Sequence, residues 1–144
     1  SVSAGTSAND DLGTFKIKFK VTAVGDTVYV PSLVVASTTA ANVNAGKTIL
    51  LVDRAGTATV GGVSVVMTNL TDTDLTSVGN YRIEDGQSET FEISSTVQLP
   101  TAGLAGLYRA VLGGVAWSLT DVFPAANLYT SNLDSFKTSS QGLN

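Results

Sequence analysis

The chain has 144 residues and a net charge of −4, and it contains neither cysteine nor histidine. This composition excludes disulfides, thiolate and histidine metal sites, cysteine nucleophiles and every Ser-His-Asp triad. The acidic pI of about 4.5 argues against nucleic acid as a partner. Only 14% of the residues are charged, whereas a soluble domain typically carries about 25%. We expect a structural protein that is not an enzyme and needs no cofactor.

Period-two alternation of apolar and polar residues runs through most of the chain. It is strictest from Gly13 to Thr22, which predicts a half-buried strand. Further strands are predicted at residues 27–30, 33–36, 47–53, 57–60, 63–69, 80–83, 88–99, 107–112, 115–120 and 135–137. Gly113-Gly114 either separates two strands or marks the bulge of one long strand. Residues 37–46 and 71–79 are expected to be loops, and residues 123–128 irregular.

Turn signals every 8–12 residues, without helical periodicity, are typical of a β-sandwich. We therefore predict an all-β, Ig-like β-sandwich of about 7–10 antiparallel strands with no substantial helix. One domain is expected over residues 1–144, with an N-terminal arm at 1–13 and a C-terminal tail at 131–144. Polar ends of this kind fray unless a neighbouring subunit or an internal strand pairing holds them.

Three segments carry a resemblance to a known family. They are Gly13–Ala23, Tyr81–Phe91, and Tyr108–Leu112 with Trp117. They resemble the Ig-like C-terminal domain of surface proteins from candidate-phyla bacteria, which closes on a Phe-x-Thr stretch, here Phe136-Lys137-Thr138. The likeness covers about two-thirds of the chain. It departs at Asp85, where Glu is usual, and nothing is recognised across residues 38–79. The resemblance implies a structural or adhesive module at the cell surface.

The clearest strand also carries the leading candidates for a subunit contact. Phe15, Ile17 and Phe19 share one face, and Lys16, Lys18 and Lys20 share the other. The lysines form a basic stripe that could dock an acidic partner strand, with Glu84, Asp85, Glu89 and Glu92 as the complement in the same molecule or the next. The competing interpretation is that lysines on an edge strand block aggregation.

Two short acidic clusters are weak calcium candidates. Asp72 with Asp74, and Asp10 with Asp11, supply the oxygen ligands that Ca²⁺ prefers. Neither cluster has the glycine and distal glutamate of an EF-hand loop, and paired carboxylates are common in ordinary solvated turns. We therefore predict no metal site.

Asn69 begins the only Asn-x-Ser/Thr sequon, a weak candidate for glycosylation.

Lys47 leads an apolar strand and is a candidate for an intramolecular isopeptide bond, which needs a buried carboxylate beside the lysine. Trp117 is expected in the core. If aromatic side chains instead gathered on one surface, they could stack on a glycan, and Tyr29, Tyr81, Tyr108 and Tyr129 are the tyrosines available for this.

The longest apolar runs are far shorter than the ~20 residues of a membrane span, so no membrane insertion is expected. The Thr-, Ser- and Val-rich composition is typical of secreted β proteins, which predicts an extracellular or cell-surface location after removal of a leader.

The favoured function is a structural subunit of a pilus-like filament or surface layer. It would polymerise with copies of itself by strand donation. The leading donor is the N-terminal region through Val21, with its face of Phe15, Ile17 and Phe19, and the alternative donor is the tail around Leu133–Phe136. The alternatives are a monomeric adhesion or glycan-binding module, and a spacer domain.

Overall fold

The structure, a computed structural model, describes residues 1–3, 11–38, 41–59, 62–71, 74–98 and 106–143. The strands within these ranges are β1 (Val2–Ser3), β2 (Leu12–Thr22), β3 (Val28–Pro31), β4 (Val34–Ala36), β5 (Lys47–Asp53), β6 (Ala58–Thr59), β7 (Gly62–Asn69), β8 (Asn80–Ile83), β9 (Ser88–Gln98), β10 (Gly106–Trp117), β11 (Asn127–Tyr129) and β12 (Gln141–Leu143). The one helical element among the described residues is a 3-10 turn at Val43–Ala45, inside the predicted loop at 37–46.

Two larger sheets enclose the core. The first has the strand order β1-β2-β9-β7, and the second has the order β11-β10-β5-β4, with β12 beside β10 and β6 beside β5. Strands β3 and β8 form a separate two-stranded ribbon. One cluster of buried side chains joins all three sheets, and it includes Phe15, Ile49, Ile83, Phe91, Ile93 and Leu112. The predicted all-β, sandwich-like fold is confirmed.

Strands β2 and β9 form the longest pairing, in a register of eleven residue pairs without a shift. The predicted alternation along β2 is confirmed, since Phe15, Ile17 and Phe19 are buried while Lys18 and Lys20 are exposed. A one-residue slip would turn the phenylalanines towards solvent, so burial of this face fixes the register. In the single chain, these three apolar side chains therefore lie in the chain's own core.

Strand β10 is one long strand with a bulge, which confirms the second of the two predicted alternatives. Its register against β5 shifts between Leu112 and Gly114. The bulge brings Gly114 close to the loop before the 3-10 turn, where an added Cβ would lie 2.4 Å from the Cβ of Ala41. Only glycine fits at this position without displacing the loop.

The structure differs from the sequence predictions in three places. Strand β4 pairs with β5 in parallel, with Val34 opposite Lys47, whereas only antiparallel pairs were expected. Strand β11 lies partly in the segment expected to be irregular, and β12 lies in the predicted tail. The predicted strand at 135–137 is reduced to a bridge between Val111 and Lys137. Strands β11 and β12 and the bridge at Lys137 all pair with β10, and segments this short carry no period-two pattern of their own.

Internal strand pairing holds the described parts of both ends. At the N-terminus, Val2 lies opposite Gly13 of β2. At the C-terminus, Gly142 lies opposite Leu107 of β10, and Leu143 is buried in the core. The predicted arm therefore meets β2 at Leu12, and part of the predicted tail completes the second sheet.

Candidate functional site

An apolar groove of about 490 Å³ opens at the core, and core residues such as Phe19 and Leu112 form part of its lining. Strands β2, β3, β10 and β11 and the segment after β11 contribute its walls. Six of the apolar side chains that line it are Phe19, Val28, Leu112, Trp117, Tyr129 and Phe136. Large apolar side chains also stand at its mouth, where Val24 is 85% exposed, Leu119 50% and Tyr129 48%. An exposed apolar surface around a groove marks a contact site.

An unpaired strand edge runs beside this groove. One side of β2 pairs with β9 along its whole length, but the other side pairs with β1 only at Leu12 and Gly13. Beyond them, Thr14 exchanges backbone hydrogen bonds of 2.7 and 2.8 Å with Ser1. From residue 15 to residue 22, no described residue pairs with this side of the strand. We refer to this side of residues 15–22 as the open edge.

The backbone groups at the open edge belong to the lysines. In an antiparallel strand, successive residues point their N–H and C=O groups to opposite sides. Because Thr14 bonds to Ser1, the groups of Lys16, Lys18 and Lys20 point the same way, into the open edge. Each unpaired group is available to an incoming strand.

Part of the positive charge on β2 is neutralised within the chain. Lys16 Nζ lies 3.0 Å from Glu92 Oε1, so one predicted acidic complement is found in the same molecule. Glu84 instead pairs with Arg82 at 2.9 Å, and Asp85 accepts the backbone N–H of Gly25 at 2.7 Å. Lys18 and Lys20 remain as exposed cations beside the open edge.

Lys47 is buried at the start of β5. Its Nζ donates a hydrogen bond to the carbonyl of Pro31 and lies 5.0 Å from the ring centroid of Phe91 and 5.7 Å from that of Tyr81. Burial lowers the pKa of Lys47 from 10.5 to about 7, because desolvation disfavours the charged amine. No described carboxylate forms an ion pair with it. The structure thus supplies the buried lysine of the isopeptide hypothesis without the carboxylate beside it.

A partly buried polar cluster ties the loop after β10 to strand β8. Asp121 Oδ1 accepts hydrogen bonds from Thr76 Oγ1 at 2.9 Å and from Asn80 Nδ2 at 2.8 Å. Asn80 Nδ2 also donates to the carbonyl of Val122 at 3.1 Å. Sequence reasoning missed this cluster because Asp121 lies more than forty positions from Thr76 and Asn80. These bonds brace the loop against strand β8.

The remaining predicted site residues are scattered. Asp10 and Asp72 lie outside the described residues, while Asp11 is buried and Asp74 is exposed. Within the described ranges, no group of three acidic side chains could hold a metal ion. Asn69 is 4% exposed and its Oδ1 accepts the backbone N–H of Thr71 at 3.1 Å, so the folded chain does not present this asparagine for glycosylation.

The aromatic residues divide between the core and the groove. Tyr81 and Tyr108 are buried. Trp117 is only partly buried; it packs against the core and also lines the groove with Tyr129. The expectation of a core tryptophan therefore holds in part. No pattern in the sequence indicates that Trp117 and Tyr129 line one groove, because the pairing of β11 with β10 is not predicted.

Comparison of the chain with family models, curated proteins and solved structures finds no match. The Ig-like family resemblance therefore stays a prediction. Among the described residues, no helix has the length and apolar character of a membrane span.

Proposed function

We propose that the chain is a non-catalytic structural subunit of an extracellular assembly, a pilus-like filament or a surface layer, and that neighbouring copies join through β-strand contacts. The observation that carries this proposal is the open edge of β2 beside an apolar groove. An added strand would satisfy the unpaired backbone groups and place alternate side chains in the groove. Both contributions favour binding of a strand over binding of a small ligand.

The charges on β2 disfavour the simplest symmetric contact. Two copies of β2 placed edge to edge would bring Lys18 and Lys20 of both chains together, and like charges across a strand pair are destabilising. The partner strand is therefore a different segment. A contact between two different surfaces repeats from copy to copy and gives an open filament unless the rotation closes a ring.

Composition supports the extracellular part of the proposal. The chain is rich in Thr, Ser and Val and has a mean hydropathy of +0.24. After one core is filled, exposed apolar side chains remain at the groove mouth, among them Val24 and Leu119. A subunit of an assembly buries such a surface against its neighbours.

Substitutions at Lys18 test the proposal. Lys18→Pro removes an N–H group that has no partner in the described fold, and proline is tolerated on strand edges that face solvent. Lys18→Ala is the matched control, because it removes the same charge and keeps the N–H. We expect large oligomers or filaments, by negative-stain microscopy and sizing chromatography, for the wild type and Lys18→Ala, and monomers for Lys18→Pro with unchanged circular dichroism. A wild type that stays monomeric at all concentrations contradicts the proposal.

A second candidate function is a monomeric glycan-binding module. Trp117 and Tyr129 favour it, because both line the groove and aromatic faces stack on sugar rings. This function predicts a monomer whose tryptophan fluorescence changes on glycan addition and whose response is lost in Tyr129→Ala. A full response in Tyr129→Ala would contradict it.

A further inference from the structure

Strand β7 forms the opposite edge of the sheet that contains the open edge. The strand order β1-β2-β9-β7 places β7 at the far end of this sheet, and it pairs with β9 from Gly62 to Asn69 without a shift in register. From Gly62 to Thr68, no described strand pairs with the other side of β7, and we refer to this side as the second edge. The first sheet therefore ends in two long edges that the described fold leaves unpaired, one on β2 and one on β7.

The second sheet has no comparable edge within the described part of the chain. Its outermost strands β4, β6, β11 and β12 are only two or three residues long, and shortness protects a strand edge from pairing with another molecule. The second edge lacks such protection, because β7 is eight residues long and contains no charged residue and no proline. A long, uncharged edge of this kind is a ready site for strand pairing.

The backbone groups of the two edges match in direction. Leu70 donates its backbone N–H to the carbonyl of Thr90 in β9 at 2.8 Å, so by alternation residues 63, 65 and 67 point their N–H and C=O groups away from β9. Strands β2 and β7 both run antiparallel to β9, so they run parallel to each other. A second copy that is displaced sideways without rotation brings its β7 parallel to β2, where the two edges can form the evenly spaced hydrogen bonds of a parallel pair.

The side chains of this pairing are compatible as well. Lys18 and Thr68 both lie opposite Glu92 of β9, so they project from the same face of the sheet. Val66 shares this face and is 61% exposed, and in a parallel pair it would lie opposite Lys18 or Lys20 of the neighbouring copy. The aliphatic stems of these lysines can cover Val66 while their charged ends stay in solvent. Because β7 has no charged residue, this contact avoids the like-charge repulsion of two β2 strands.

We propose that the open edge of β2 binds the second edge, on β7, of another copy of this chain, in a parallel pairing that continues the first sheet from copy to copy. This inference rests on the proposed function and specifies its contact. Both edges are available in the folded chain, so no described strand has to leave its place. The contact joins two different surfaces, so the copies form an open filament unless the rotation closes a ring.

Cysteine cross-linking between copies tests the contact directly, because the chain has no cysteine of its own. One copy carries Val66→Cys, and the other carries Lys18→Cys or Lys20→Cys, which together cover both registers. The control replaces the lysine variant by Thr57→Cys, an exposed position between β5 and β6. After mixing and mild oxidation, we expect about tenfold more mixed dimer with a lysine variant than with the control, because docking raises the local concentration of the partner cysteine. A predominance of dimers between two Val66→Cys copies would indicate a symmetric contact through β7 and overturn the inference.

Charge at position 66 adds a second readout, on chains without cysteine. Val66→Lys places a like charge opposite Lys18 or Lys20, so we expect the concentration at which assemblies form to rise about fivefold. Val66→Glu is the matched control, because it also removes the exposed valine but supplies an opposite charge, and it should assemble at or below the wild-type concentration. Filaments that form without selective cross-linking, and equally well from Val66→Lys and Val66→Glu, overturn this inference and leave the proposed function standing. Wild-type monomers under all conditions overturn both.

Discussion

Replacement of Lys47 by methionine should stabilise the chain at neutral pH. Each pKa unit corresponds to about 1.4 kcal/mol, so the lowering from 10.5 to about 7 means that the protonated lysine costs the folded state about 5 kcal/mol. Methionine has a similar length and no charge. Its substitution leaves the Pro31 carbonyl without its hydrogen bond, which offsets about 1–3 kcal/mol of the gain. We expect Lys47→Met to raise the free energy of unfolding by about 2–4 kcal/mol at pH 6.

The pH dependence of the free energy of unfolding distinguishes removal of a buried charge from improved packing as the cause of this stabilisation. The folded-state pKa of Lys47 is lower than its unfolded value, so between about pH 7 and pH 10.5 the unfolded chain binds more protons than the folded chain. The free energy of unfolding of the wild type therefore rises with pH across this window. From pH 6 to pH 9 the lysine should contribute a rise of about 2–3 kcal/mol, and Lys47→Met should lack it.

Urea denaturation of the wild type and of Lys47→Met at pH 6 and pH 9 measures the effect. The matched control is Lys18→Met, which makes the same substitution at an exposed lysine. The control should follow the wild type at both pH values. Equal pH dependence in the wild type and Lys47→Met would refute the assignment of a buried, desolvated amine at this position.

Two further substitutions test the core and the bulge. Phe91 is fully buried, so Phe91→Ala should lower the free energy of unfolding by about 3–5 kcal/mol, whereas Val24→Ala at the exposed groove mouth should change it by no more than about 0.5 kcal/mol. Similar losses at both sites would contradict the described core. Gly114→Ala should cost about 1–3 kcal/mol, because the new Cβ would lie 2.4 Å from the Cβ of Ala41. Gly142→Ala, whose nearest contact would be 4.0 Å away, is its control in the same denaturation assay, and equal effects would argue against the tight bulge.

Local patterns predicted the long strands well. The alternation from Gly13 to Thr22 contains enough residues to specify both the strand and its buried face. The same holds for β9. The paired glycines at 113–114 allowed either a break between two strands or a bulge, and the structure shows the bulge. Short edge strands such as β11 and β12 were not predicted, since two or three residues that pair with a long neighbour need no alternation of apolar and polar residues.

The candidate site could be predicted only in part. Lysines at positions 16, 18 and 20 indicated either a docking stripe or an edge strand, and the structure leaves one side of β2 unpaired at these residues. The groove beside it combines Val24, Trp117, Tyr129 and Phe136, which are far apart in sequence and meet only through the sandwich topology. The surroundings of the Lys47 amine could not be predicted either, because the residues around it come from β3, β8 and β9 and meet only through long-range packing.

Amide hydrogen exchange along β2, measured residue by residue, tests whether a strand is added at the open edge. In the dissociated chain, the amides of Lys16, Lys18 and Lys20 should exchange quickly, while those of Ile17 and Phe19, which point towards β9, should be protected. In the assembled state, read out by NMR after rapid dissociation, the three lysine amides should become protected as well. Lysine amides that exchange equally fast in assembled and dissociated material would contradict strand addition at this edge.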